Sequence, residues 1–224
     1  MKENIQFRFE DVSFAFPESH PTLLHASLEL ERGSFVLIGG PSGSGKSTML
    51  RLFNRLLEPQ YGAIYYEGKA LGEYSPTTLR REVVTVGQIP ALVPGTVRDN
   101  LLLPFAFRAN SGLAKPDDAK LLHWMERLLL RGVKLTDKAS SLSVGQRQRL
   151  CLIRTLLLEP KVMLMDEPTS ALDPESRQIV EKTAEGLCRE QGTTVVMVTH
   201  LLFELEKIRP MLLHLEGGKL ECRS

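Results

Sequence analysis

The segment Gly40-Pro41-Ser42-Gly43-Ser44-Gly45-Lys46-Ser47 spells G-x-x-x-x-G-K-S, the spacing of a loop that wraps phosphate. Its glycines let the backbone curl until successive N–H groups face inward. A helix opening near Lys46 adds its positive end to the same concavity. Lys46 would reach the β- and γ-phosphates of a nucleotide, the Ser47 hydroxyl would ligate Mg²⁺, and Thr48 joins the phosphate-binding set. The loop alone leaves kinases, GTPases and motor ATPases open. The bland alternative is a Gly/Ser turn with a solvated lysine.

A carboxylate pair supplies complementary chemistry. Residues 162–165 (Val-Met-Leu-Met) form an apolar run that ends in Asp166-Glu167. Neighbouring strand residues point to opposite faces, but at a strand end the chain can turn both toward the phosphates. Asp166 fits the Mg²⁺ role, and Glu167 fits a general base or an orienter of the attacking water. Taken alone, the pair is also compatible with a solvated acidic turn before Pro168.

The stretch Leu142-Ser143-Val144-Gly145-Gln146-Arg147-Gln148-Arg149 carries a second anion site. Ser143 is a good N-cap for a helix running to residue 157 or 158, and a helix start with a hydroxyl and a glycine attracts phosphate. Two phosphate-seeking helix ends thus lie about a hundred positions apart. One nucleotide can use both in the same chain only if they face each other.

With these residues the sequence resembles the nucleotide-binding subunit of an ATP-binding cassette (ABC) transporter, from about residue 9 to residue 218. The family signature Leu-Ser-Gly-Gly-Gln corresponds to Leu142 through Gln146, with Val144 in the third position. The resemblance implies phosphate contacts from Ser143, Gly145 and Gln146. It implies that Gln88 senses Mg²⁺ and that Asp173, in Ser170-Ala171-Leu172-Asp173, belongs to the loop facing the nucleotide. It also makes His200 the switch histidine at the γ-phosphate, although Leu201 replaces the usual aspartate after it. Phe16 falls at the aromatic position that stacks on adenine. Catalysis is then expected from Glu167, His200 and Gln88, and Mg²⁺ ligation from Ser47, Gln88 and Asp166.

The resemblance further implies an α/β fold: a P-loop NTPase core with a mixed, mainly parallel sheet flanked by helices. An N-terminal antiparallel β part and an inserted α-helical subdomain at about residues 89–158 complete a single domain spanning residues 1–224. Two copies would pack head to tail as a homodimer when ATP is bound, each capping the other's nucleotide with Ser143 and Gly145. A permease on a separate chain would hold the pair at the inner face of the cell membrane.

The elements that must position these groups can be traced in the sequence. Residues 34–38, 83–86, 162–165 and 194–198 are short apolar runs, and residues 7–14 mix polar and apolar side chains as a half-buried strand does. Buried runs separated by helical stretches indicate a parallel sheet covered on both faces. Residues 47–57 show helical spacing, with Leu50, Phe53, Asn54 and Leu57 on one side and Pro59 beyond the end. Residues 90–138 show no strand pattern. There Leu121, Trp124, Met125, Leu128 and Leu129 make one helix face, and residues 107–118 read as a mobile loop.

Composition narrows the remaining choices. The chain has 224 residues, 42% hydrophobic and 25% charged, with a formal net charge of +1. Those proportions exclude wholesale disorder, and the charge provides no global field for nucleic acid. No stretch approaches the roughly 20 apolar residues of a spanning helix, and the start of the chain lacks a signal peptide's apolar core. Cys151, Cys188 and Cys222 are an odd, widely spaced set that fits reduced thiols in the cytosol. Residues 94–101 (Pro-Gly-Thr-Val-Arg-Asp-Asn-Leu) follow Gln88 in an exporter-like pattern, and the compact length together with Leu103-Pro104-Phe105 resembles the small bacterial ATPases linked to iron export and their plant relatives in aluminium tolerance. The alternative is an ABC ATPase acting on DNA or ribosomes, against which the short length and the lack of heptads both weigh.

Overall fold

The computed structural model describes residues 4–17, 21–170, 172–199 and 205–223. In chain order the elements are β1 (Ile5–Phe14), β2 (Leu23–Glu31), β3 (Phe35–Gly39), α1 (Lys46–Phe53), β4 (Tyr61–Tyr66), β5 (Lys69–Ala70), α2 (Pro76–Glu82) and β6 (Val83–Val86). They continue as α3 (Val97–Leu102), α4 (Asp118–Arg127), α5 (Val144–Leu156), β7 (Val162–Asp166), α6 (Pro174–Gln191), β8 (Thr194–Val198), β9 (Met211–Glu216) and β10 (Lys219–Arg223).

Two sheets form. One is antiparallel, in the order β2-β1-β4-β5; the other has the order β10-β9-β3-β8-β7-β6, parallel from β9 to β6 with β10 antiparallel at the edge. Strand periodicity divides the central side chains between two cores. Phe35, Leu37, Met163, Met165, Val195 and Met197 point to one side and pack with Leu150, Ile153 and Leu156 of α5 and with Leu121 and Trp124 of α4. Val36, Ile38, Leu164, Val196 and Val198 point to the other, against Met49, Leu50 and Phe53 of α1 and Phe7, Phe9 and Val12 of β1. Because both faces are covered, β3, β7 and β8 read as continuous apolar runs. Between β6 and β7 the described elements are helical, and their apolar side is continuous with the first core.

Some boundaries differ from the sequence-based expectation. The helix expected over residues 47–57 ends at Phe53. Asn54 accepts from Leu56 N–H (3.1 Å) and donates to Thr85 Oγ1 (2.8 Å), while Arg55 takes φ 56°, so a side chain competes with the helical ladder and ends it. Leu129 also leaves its predicted face: α4 stops at Arg127, Leu129 has φ 52°, and Leu130 fills the core instead. Residues 107–118, expected as a mobile loop, include a short turn (Arg108–Asn110) whose buried Asn110 donates to Pro104 O at 2.8 Å. β6 is an edge strand, so only Val83 and Val86 of its four residues are buried. Among the described residues no helix is long and apolar enough to cross a membrane.

Candidate functional site

The parallel strands β3, β7 and β8, together with the segment after β6, deliver the chemistry at their C-terminal ends, where ligands of open α/β sheets gather. After β3 the chain runs through Gly40, Gly43 and Gly45 at φ 142°, 78° and 100° before α1 begins. Two of these positions admit no side chain. A Cβ on Gly40 would stand 2.2 Å from Leu215 O, and one on Gly45 would stand 2.3 Å from Thr22 Cγ2. The loop folds back on itself, and the buried Lys46 ammonium donates to Gly40 O (2.9 Å) and Pro41 O (2.8 Å). Burial pushes the Lys46 pKa below the ordinary lysine value, against the opposing pull of Glu167 and Asp166. Ser44 Oγ is buried with no hydrogen-bond partner among the described residues. Pro41, Ser42 and Gly43 are exposed, and Thr48 is buried in the first turn of α1. A curled backbone, a lysine gathered into it and an unsatisfied buried hydroxyl fit a polyphosphate.

The carboxylates meet this loop from β7. Ser47 Oγ donates to Asp166 Oδ1 at 2.9 Å, which joins two oxygen ligands of the kind Mg²⁺ prefers. Glu167 sits at φ 47°, in the left-handed region, and its N–H bonds Val198 O at 3.1 Å. A non-glycine residue held there carries about 1–3 kcal/mol of strain. This departure from strand geometry accompanies the turn that keeps Asp166 and Glu167 in one site. Gln88 Nε2 donates to Glu167 Oε2 at 3.1 Å. Lys46, Ser47, Gln88, Asp166 and Glu167 are thereby brought together. His200 lies outside the described residues; the preceding Thr199 donates its N–H to Ile38 O at the end of β3.

Phe16 stands just beyond β1, 39% exposed, with its ring edge-on to Phe14 at a centroid distance of 5.0 Å. The second anion site folds as expected from its sequence. Ser143 caps α5 in a capping box: Gln146 N–H donates to Ser143 Oγ (3.2 Å), and Ser143 N–H donates to Gln146 Oε1 (2.9 Å). Gln146 is thus engaged with its own helix start. Val144 is 49% exposed beside Gly145. Asp173 caps α6, accepting from Ser176 N–H (2.9 Å) and Ser176 Oγ (2.6 Å), and these bonds hold its carboxyl below the usual range. No hydrogen bond or ion pair among the described residues joins Ser143, Gly145 or Gln146 to residues 40–47.

A supporting layer escaped sequence reasoning. Gln148 Nε2 donates to Gly87 O (3.0 Å), Arg154 donates to Ala91 O (2.9 Å), and Asn100 holds both N–H and C=O of Val93. Arg149 donates to Ser176 Oγ. The available signal was the spacing of Gln148, Cys151 and Arg154, three residues apart on one side of α5.

The sequence profile of the family described as ABC transporter matches residues 23–170, well over half of the chain. The chain belongs to the ABC transporter family. This cassette binds and hydrolyses ATP. It is 40% identical over 193 residues to Protein STAR1 of Oryza sativa subsp. japonica, covering 86% of this chain and 55% of that protein. It is 39% identical over 178 residues to the Probable iron export ATP-binding protein FetA of Escherichia coli (strain K12), covering 80% of this chain and 77% of that one. The chain therefore spans little more than half the length of the rice relative. Among solved structures, the ATP-binding cassette MJ0796, dimeric in a post-hydrolysis state bound to ADP and Pi, superposes with a TM-score of 0.80 at 28% identity, covering 96% of this chain and 98% of that one. The cassette fold and its mixed α/β layering agree with the expectation from sequence.

Proposed function

We propose that this cassette powers export across a membrane as an ATP-closed, head-to-tail homodimer seated on the cytoplasmic face of a permease carried by a separate chain. The observation that carries the reading is the pair of hydrogen bonds Ser47–Asp166 and Gln88–Glu167, which join the phosphate loop, a metal-binding carboxylate and a candidate base.

The N–H groups of residues 40–47 and the Lys46 ammonium bind the β- and γ-phosphates, and the Phe16 ring stacks on the adenine. Ser47, Asp166 and Gln88 would hold Mg²⁺, which when bound would neutralise phosphate charge. Glu167 accepts the proton of the attacking water while Gln88 keeps that carboxylate oriented. His200 contacts the γ-phosphate. Ser143 Oγ–H and the Gly145 N–H of a second copy cap the same nucleotide, with Asp173 in the adjoining loop. The closed dimer is favoured because the γ-phosphate is drawn to both helix ends, and loss of that phosphate releases it. A metal ion such as iron is the cargo that the FetA relative and the exporter-like residues 94–101 suggest.

The test is Glu167→Gln. With ATP and Mg²⁺ the variant should elute as a dimer in size-exclusion chromatography and release no phosphate. Turnover at the parent rate removes Glu167 from the role of base. An ATP-loaded variant that remains monomeric removes the ATP-held dimer.

A further inference from the structure

β1 ends at Phe14, two residues short of Phe16, and its ladder with β4 has its last pair at Ser13 opposite Tyr61. Strand pairing therefore stops before the aromatic residue. Gln60, immediately ahead of β4, takes over. Its N–H donates to Ser13 O at 3.0 Å. Its side chain then reaches one residue further: Oε1 accepts from Ala15 N–H at 2.8 Å, and Nε2 donates to Ala15 O at 3.0 Å. One planar amide thus satisfies both backbone groups of the residue before Phe16, reproducing the two-bond exchange of an antiparallel partner. From the opposite flank Thr22 N–H donates to Phe14 O at 2.9 Å. Pro17, with its restricted φ, follows the ring.

We infer that Gln60 is a positioning residue for the nucleotide base: by holding Ala15 at both backbone groups it fixes the Phe16 ring in the pose that stacks on the base. The inference rests on the stacking role proposed for Phe16. Gln60 acts through that ring and spends its own amide on Ala15. The chemistry is specific to an amide, because the site needs a donor and an acceptor on one plane. A glutamate would accept from Ala15 N–H but set a negative oxygen against Ala15 O, and an alanine would leave both groups to water.

Calorimetry on the full chain separates the possibilities, with ADP as the complete ligand and inorganic pyrophosphate as a probe of the phosphate loop alone. Gln60→Ala and Gln60→Glu should each weaken ADP about fivefold, the size of one or two modest hydrogen bonds, and leave pyrophosphate unchanged. In turnover the same variants should raise KM for ATP by a similar factor and hold kcat within about twofold. Phe16→Ala should weaken ADP about tenfold, and Gln60→Ala added to it should cost nothing more, since no ring remains to be held. Parent-like ADP affinity in both Gln60 variants, beside a weakened Phe16→Ala, overturns the inference and leaves stacking intact. Parent-like affinity in Phe16→Ala overturns the stacking role and the inference with it. Equal loss of ADP and pyrophosphate in the Gln60 variants marks general loosening of the fold and also overturns the inference.

Discussion

Ser143→Ala removes a single oxygen from the start of α5. In the folded chain that oxygen accepts the Gln146 N–H at 3.2 Å, and the reciprocal bond from Ser143 N–H to Gln146 Oε1 at 2.9 Å uses backbone and survives. Losing the cap costs about 1 kcal/mol, which in a domain of this size lowers Tm by about 2–4 °C. The hydroxyl hydrogen is not used in the cap and remains able to donate to a phosphate. A charge-assisted bond of that kind contributes about 1.5–3 kcal/mol, so turnover should fall about ten- to hundredfold. Gln146→Ala gives up the reciprocal bond and keeps the hydroxyl, so it should lower Tm similarly and slow turnover far less. In the proposed head-to-tail dimer, Ser143 should act on the nucleotide of a second copy. That can be read by complementation. Lys46→Ala and Ser143→Ala are each expected to be nearly inactive, but a mixed dimer pairs the intact Lys46 of one chain with the intact Ser143 of the other. Equal mixing should restore about a quarter of parent phosphate release, because half the dimers are mixed and each has one whole site. A mixture no more active than the sum of its parts refutes action between copies.

Two further substitutions probe the site. Gly45→Ala places a Cβ 2.3 Å from Thr22 Cγ2 at a backbone φ of 100°, so it should cost about 2–4 kcal/mol, lower the melting midpoint by about 5–10 °C and abolish ADP binding in calorimetry. A variant that melts and binds like the parent would show that the loop can relax around a side chain. Gln148→Ala frees Gly87 O, which sits on the peptide group that joins Gly87 to Gln88, while the phosphate loop keeps all its own bonds. ADP affinity should hold and kcat should fall about fivefold, as for one lost orienting hydrogen bond. An unchanged kcat would detach α5 from the positioning of Gln88.

What could be read from sequence follows from where each element lies. β3, β7 and β8 have both faces covered, so every position but the strand-end Asp166 and Thr194 is apolar or glycine and the runs stand out. β2 and β4 are half exposed, and β1 and β2 carry bulge-like irregularities where Asp11 and His25 take φ 52° and 49°; Gly62 of β4 packs against that bend, and alternation fails as a signal. The end of α1 was misjudged because Asn54 fits the apolar spacing by position, yet its amide stops the helix. The phosphate loop and the Asp166-Glu167 pair were legible because their chemistry is contiguous in the chain. Gln60, Gln148, Arg149 and Arg154 were not, since each works on a segment 27 to 63 residues away that only packing brings near. The left-handed backbone at Glu167 leaves no trace in residue type at all.

In the proposed dimer, the segment from Gly87 to Thr96 would let hydrolysis in one site be felt at the other. At one end Gln88 is bonded to Glu167, the group that faces the reacting water in the proposed mechanism. On either side of Gln88, Gly87 O and Ala91 O are held by Gln148 and Arg154 of α5, and further on Thr96 caps α3, which packs on α5. A change in charge at Glu167 would therefore act on Gln88, and through two carbonyls on α5, at Gln148 near its start and at Arg154 in its last turn. The first residue of that helix is adjacent to Ser143, whose hydroxyl is directed in this scheme at the nucleotide of the second copy. Arg149 extends the connection to Ser176 and so to Asp173 at the head of α6. A strand end that completes one site and a helix end that completes the other are thus linked by side-chain bonds within one chain. Removing the bonds at Gly87 and Ala91 should leave each site able to bind and uncouple their turnover.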